Sequence, residues 1–151
     1  MKKFLALVTL TIITAITYFA ITPALAERQP QCGFTQTARL MPHSNTAELF
    51  FADGTSANTN TQGLIEKLQN APVHGFLVRY SGDKSAIRTF LQIFSAREVY
   101  NQQLGAITVT YAFARSFDVD TVRINNRRQN LQIAYRAGII TIGVPLILGS
   151  F

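Results

Sequence analysis

The chain contains few side chains that could act as a nucleophile or carry a proton. It has one cysteine, Cys32, and two histidines, His43 and His74. A Cys–His pair could perform nucleophilic catalysis if a neighbouring imidazole or helix N-terminus lowered the pKa of the thiol. Cys32 instead follows a polar run at 28–31, and the pattern predicts no helix after it. We therefore interpret it as a solitary thiol, with pairing between two molecules as the alternative.

Metal-binding residues are equally sparse. The two histidines show no ligand spacing such as His-x-x-x-His. Asp118 and Asp120 place two carboxylates on one side of an extended segment, but a calcium site needs more oxygen ligands than these. The sequence therefore predicts no metal site and no cofactor.

Other catalytic patterns fail on inspection. Gly82-Asp83-Lys84-Ser85 is similar to the end of a phosphate-binding loop, but the earlier glycine is missing and Asp83 separates the glycine from the lysine. The few carboxylates form no pair suited to acid–base chemistry. We predict no catalytic residue, and a small exported enzyme that uses Cys32 or His74 is the alternative.

Arginine is the one chemically useful residue type that clusters. Arg115, Arg123, Arg127, Arg128 and Arg136 lie close together, with only Asp118 and Asp120 to offset them. A guanidinium group binds carboxylate or phosphate through two parallel hydrogen bonds, and an aromatic ring nearby can add stacking. The predicted partner-binding residues are Arg123, Arg127, Arg128, Arg136 and Tyr135. The alternative is a solubilising hairpin whose charges prevent sheet-to-sheet aggregation.

The N-terminus has the pattern of an export signal. Met1-Lys2-Lys3 precedes an apolar stretch over residues 4–21 and the sequence Ala24-Leu25-Ala26. These match the basic region, the apolar region and the Ala-x-Ala cleavage site of a secretory signal. We predict that residues 1–26 form a cleavable signal peptide and that the rest is periplasmic or secreted. The alternative is an uncleaved helix that anchors the protein in the inner membrane.

The 125 residues that follow are enough for one domain with a hydrophobic core. They carry twelve basic and eight acidic residues, a formal charge of +4. Residues 27–46 are predicted to be an irregular lead-in, and residues 47–151 a single domain. A moderate positive charge suits an acidic partner, but it also serves solubility alone.

Apolar periodicity gives the elements that must position the arginines. It predicts strands near residues 47–52, 73–80, 107–114, 122–124 and 131–135, and helices over 61–70 and 84–104. Asp83 is the predicted cap of the second helix, Gly105 its C-terminal glycine, and residues 125–130 a turn. This is an α+β fold: two helices packed on one face of a mixed, largely antiparallel sheet that ends in a β-meander.

The last stretch, residues 138–151, is apolar and nearly free of charge. It is too short to span a bilayer as a helix, and Pro145 interrupts it. It is predicted to be a buried final strand at the sheet edge. The alternative is a surface tail at residues 139–151 that contacts a membrane or a partner.

These patterns predict an exported, non-catalytic envelope protein that serves as a partner-binding module or assembly subunit. Its partner is expected to be an acidic envelope protein, a lipid headgroup or an anionic wall polymer. Nucleic acid is not expected, because the chain carries no nucleic-acid-binding motif. The further alternatives are the exported enzyme and a membrane-active protein with an apolar C-terminal tail.

Overall fold

The computed structural model describes residues 30–149. The predicted signal peptide at residues 1–26 and its alternative as a membrane anchor lie outside these residues, as do Ser150 and Phe151. Among the residues described, none of the helices has the length and apolar character needed to cross a bilayer.

Three helices and nine strands make up this part of the chain. The helices are α1 (Pro30–Arg39), α2 (Thr61–Leu68) and α3 (Ala86–Ile93). The strands are β1 (Thr46–Phe51), β2 (Ser56–Thr59), β3 (Val73–Ser81), β4 (Ala96–Leu104), β5 (Ile107–Ala114), β6 (Val122–Ile124), β7 (Arg127–Gln129), β8 (Leu131–Arg136) and β9 (Ile139–Val144).

Seven strands form one sheet in the order β2-β1-β3-β9-β8-β5-β4, and β6 and β7 form a separate hairpin. Every described pair is antiparallel, so the sheet is not mixed. The predicted α+β class is confirmed, although three helices replace the predicted two. Strands β4, β5, β8 and β9 are consecutive neighbours, with the β6–β7 hairpin inserted into this meander.

The core lies between the helices and one face of the sheet. The helices contribute Phe34, Ala38, Leu64, Leu68, Ile87 and Phe90 to the buried apolar cluster. The sheet contributes alternate residues, among them Phe76, Val78, Ile133, Ile140 and Ile142. The rings of Phe34 and Phe76 meet edge to face, with their centroids 6.3 Å apart. Each large apolar side chain buried this way contributes roughly 1.5–3 kcal/mol to stability.

The predicted irregular lead-in contains a helix. Residues 30–39 form α1, which begins at Pro30, where proline fixes a helical φ and lacks only a donor that the first turn leaves unpaired. Phe34 and Ala38 bury one side of α1 in the core. The helix lies so close to the backbone at Asp118 that a side chain at Gly33 would overlap the Asp118 carbonyl.

The prediction of one helix over residues 84–104 is wrong. α3 ends at Ile93, Ser95 adopts a left-handed conformation with φ 49°, and the chain returns as β4. Gly105 does not cap a helix. With φ 60° it begins the two-residue turn between β4 and β5. Asp83 is not the helix cap, because α3 begins at Ala86 and Ser85 occupies the cap position; Asp83 instead accepts a hydrogen bond from the Ser85 amide at 2.7 Å.

The C-terminal apolar segment is a strand, but it lies in the middle of the sheet and not at its edge. β9 pairs with β3 on one side and with β8 on the other. Beyond Val144 the chain crosses the face opposite the helices. There the Ile147 amide donates to the Gln132 side chain at 3.0 Å, and Gly149 lies against Phe50 and Leu77.

Gly33→Ala is expected to destabilise the protein by about 1–3 kcal/mol, because a new methyl group would force α1 away from the Asp118 carbonyl. Urea unfolding measures this change. Gln36→Ala, an exposed substitution on the same helix, is the control and should change stability little. Equal stability of Gly33→Ala and the wild type would show that the helix does not pack this closely in solution.

Burial raises the pKa of Tyr80, whose hydroxyl donates to the Pro42 carbonyl at 2.8 Å and whose ring packs against Phe90. Above the ordinary tyrosine value of 10.0 the unfolded chain ionises while the folded side chain stays neutral. The free energy of unfolding should therefore fall as pH rises past about 10.

Tyr80→Phe removes this ionisation. We expect the variant to lose less stability than the wild type between about pH 8 and about pH 11 in urea titrations. Parallel losses in the two proteins would contradict the predicted effect of Tyr80.

Candidate anion-binding cleft

The arginine cluster is built on the β6–β7 hairpin. Asn125 and Asn126 both have positive φ, 49° and 64°, which is the backbone of a two-residue type I′ turn. The pairing of Val122 with Gln129 and of Ile124 with Arg127 defines the hairpin register. The predicted six-residue turn is therefore only two residues long, and Arg127 and Arg128 lie in β7 just after it. The predicted returning arm at 131–135 belongs to β8 in the main sheet.

Asn130 fixes the base of this hairpin to the main sheet. Its buried side chain accepts from the Ala114 amide at 2.8 Å and donates to the Ala114 carbonyl at 2.9 Å. These two bonds satisfy backbone groups at the end of β5, where the regular pairing with β8 has stopped. β7 is thereby held against β4 and β5.

A bulge in β4 provides the second attachment. The register between β4 and β5 shifts at Val99, which adds one residue to the edge strand. The guanidinium of Arg127 donates to the Val99 carbonyl at 3.1 Å. This contact joins the hairpin to the edge of the main sheet and orients the Arg127 side chain.

The hairpin and β4 together form an open cleft of about 510 Å³. Its walls comprise Arg97, Glu98, Val99, Phe113, Arg127 and Arg128. Arg97 lies directly opposite Phe113 in the β4–β5 pairing, and Phe113 is half-buried. The cleft thus presents three guanidinium groups, one carboxylate and an aromatic ring.

Positive charge is concentrated at this cleft. Arg123 and Arg128 are directly opposite each other in the hairpin, an arrangement of like charges that lowers stability. The side chains of Arg97, Arg123, Arg127 and Arg128 are all exposed. Among the residues described, Arg97, Arg123 and Arg128 form no ion pair, so their charge is available to a ligand.

The chemistry that fits such a cleft is recognition of an anion. Planar guanidinium groups bind carboxylate or phosphate oxygens in pairs, and the Phe113 ring offers an apolar surface beside them. The cleft is lined by no cysteine, histidine or serine that could act as a nucleophile. The arrangement can bind and orient an acidic group.

The structure brings together three of the five predicted binding residues. Arg123, Arg127 and Arg128 share the hairpin, whereas Arg136 and Tyr135 lie at the far end of β8. Arg136 borders a different hollow beside Arg79, on the sheet face opposite the helices. Tyr135 is half-buried against the core.

Arg97 joins the cluster, and sequence reasoning missed this residue. Residues 84–104 were expected to form one helix, which would place Arg97 far from the hairpin. No local signal reveals the strand, because Tyr100 and Leu104 are four residues apart and share one face of a helix as well as of a strand, and glutamine and leucine favour a helix.

The other candidate groups are dispersed. The prediction that no helix follows Cys32 is wrong: this residue lies in the first turn of α1, where it is exposed and its sulfur lies 3.6 Å from the Gln36 amide nitrogen. His43 is exposed and lies 3.4 Å from the Thr61 hydroxyl, and His74 is exposed on β3. In the part of the chain that the structure describes, no three histidine, cysteine or acidic residues are grouped as metal ligands.

Comparisons of the chain with protein-family models, curated proteins and solved structures found no significant match. Inference about function therefore rests on the geometry of the cleft.

Arg128→Gln is expected to stabilise the protein by about 0.2–1 kcal/mol at low ionic strength, because it removes the repulsion with Arg123 across the hairpin. The gain should vanish near 1 M salt, where charges are screened within about 3 Å. Urea unfolding at both salt concentrations measures the effect. Arg88→Gln on α3 removes the same charge and should show no such gain. A loss of stability in Arg128→Gln would show that this arginine makes a stabilising contact.

Proposed function

We propose that this chain is an exported, non-catalytic protein of the cell envelope that binds an acidic partner protein through the cleft of Arg97, Arg127 and Arg128. It would serve as a binding module or as a subunit of a larger assembly. The export signal predicted at residues 1–26 supports the envelope location.

One observation carries this proposal. Arg97 from β4 and Arg127 and Arg128 from β7 line the same open cleft with a single carboxylate, Glu98, among them. Clustered like charges cost stability, and local charge of one sign attracts and orients a ligand of the opposite sign. A fold that needed arginines only for solubility could disperse them over its surface.

A protein partner fits the cleft better than a lipid surface does. The cleft lies between a hairpin and a sheet edge and includes a half-buried aromatic ring. The methylene groups of acidic side chains on a protein could contact the Phe113 ring while their carboxylates bind the guanidinium groups. Of the apolar segment at residues 139–151 considered as a membrane contact, residues 140–144 are buried in the sheet and present no surface to a lipid.

The test is a cross-linked pull-down from the native envelope, with an affinity tag inserted at the exposed Asp53-Gly54 turn to spare both termini. Arg127→Glu/Arg128→Glu is expected to reduce recovery of the partner at least tenfold, on the order of the loss of one close charge pair, because the attraction between the cleft and the acidic partner becomes repulsion. The fold should survive the loss of the Arg127–Val99 hydrogen bond, since both side chains are exposed and Asn130 still holds the base of the hairpin.

Arg39→Glu/Lys67→Glu is the matched control. It makes the same change in charge at exposed positions on α1 and α2 that do not line the cleft, and it should leave recovery unchanged. Equal loss in both double variants would reduce the effect to net charge. An unchanged partner profile in Arg127→Glu/Arg128→Glu would refute binding at the cleft, and arginine-dependent flotation with anionic vesicles would assign the site to lipid.

A further inference from the structure

The two edges of the main sheet differ in how well they are protected. β2, at one edge, has four residues, all of them small or polar. β4, at the other, has nine residues, and within the described chain it pairs only with β5. Long exposed edges usually carry charges or proline, because their unpaired amide and carbonyl groups otherwise recruit another strand.

Protection of β4 is confined to its first residues. Arg97, Glu98 and the bulge at Val99 lie at the end beside the cleft. From Tyr100 to Leu104 the strand has no charge and no proline. Tyr100 and Leu104 are 41% and 43% exposed, on the sheet face opposite the helices, and Tyr100 stacks on Tyr111 with ring centroids 5.9 Å apart.

The hairpin geometry identifies the backbone groups that face outwards. A two-residue turn joins β4 to β5, so Leu104 and Ile107 form the first hydrogen-bonded pair. Hydrogen-bonded and non-bonded pairs then alternate, which leaves the backbone amides of Asn101 and Gln103 directed away from β5. These amides are available to an added strand.

The open edge leads directly into the arginine cleft. A strand laid along Tyr100–Leu104 would, if continued, pass Val99 and reach Arg97, Arg127 and Arg128. Charge complementarity then defines the occupant. It must be extended, acidic at the end that meets the cleft, and apolar at alternate positions over Tyr100 and Leu104.

We infer that the partner binds by adding an acidic extended segment to β4 as an eighth strand of the main sheet. This inference rests on the proposed function and specifies how the partner is held. Backbone hydrogen bonds to β4 supply affinity that depends little on sequence, and the arginines at one end select acidic segments and set their register.

The test uses two fluorescent peptides: one has two aspartates followed by alternating valine and threonine, and the other has the reverse order. Together they place an acidic end at the cleft whether the added strand runs parallel or antiparallel to β4. Fluorescence anisotropy should show saturable binding of one of them to the wild-type protein. Asn101→Pro should weaken it about tenfold, since proline removes the outward amide. The same peptide with alternate backbone N-methyl groups should bind about as weakly.

Asn101→Ala is the matched control. Like the proline variant it loses the hydrogen bond from the Asn101 side chain to Thr110, but it keeps the amide, so its affinity should equal that of the wild type. Hydrogen exchange should slow at the amides of Asn101 and Gln103 when the peptide is bound. The N-methylated peptide tests the idea on the unaltered protein, whatever Asn101→Pro does to folding.

The outcomes separate this inference from the proposed function. Binding that depends on Arg127 and Arg128 but ignores N-methylation and Asn101→Pro would overturn strand addition and leave the cleft intact. Binding that depends neither on Arg127 and Arg128 nor on the backbone amides would overturn the proposed function and strand addition together. Absence of peptide binding, or dimerisation of the chain alone through β4, would also overturn an acidic strand as the occupant.

Discussion

The fold depends on the pairing of the last described strand with two partners. β9 lies between β3 and β8, and within residues 30–149 it is the only strand that joins the two halves of the main sheet. One half is built from residues 46–81 and the other from residues 96–136. Ile140, Ile142 and Val144 complete the core across this junction. The core therefore becomes continuous only when β9 has paired with both halves, and a long-range pairing of this kind slows folding because the entropy of loop closure must first be lost.

The helices are distributed over the two halves that β9 joins. α1 and α2 pack against each other, and α2 contacts β1, whereas α3 contacts β4 and β8. Because β9 pairs with β3 on one side and β8 on the other, it places both sets of helices on one face of a continuous sheet.

The candidate cleft combines local and long-range constraints. Asn125 and Asn126 close the hairpin locally, because asparagine tolerates positive φ better than most residues. Asn130 and the bulge at Val99 then fix the hairpin against β5 and β4. These attachments hold Arg123 and Arg128 opposite each other in the hairpin although like charges at such positions lower stability.

The sequence by itself determined the apolar strands, α2 and the composition of the arginine cluster. Alternation of apolar residues over 107–114 and 131–135 predicts strands, because successive side chains of a strand point to opposite faces of a sheet, and that pattern is local. It did not determine where α3 ends. Residues 96–104 contain good helix formers, and Gly105 suits a helix end as well as a hairpin turn. Residues 96–104 form a strand and not a helix because they pair with β5. The same pairing places Arg97 in the cleft and makes β4 the open edge of the sheet. A local stretch of sequence does not reveal it, because strand pairing depends on residues elsewhere in the chain.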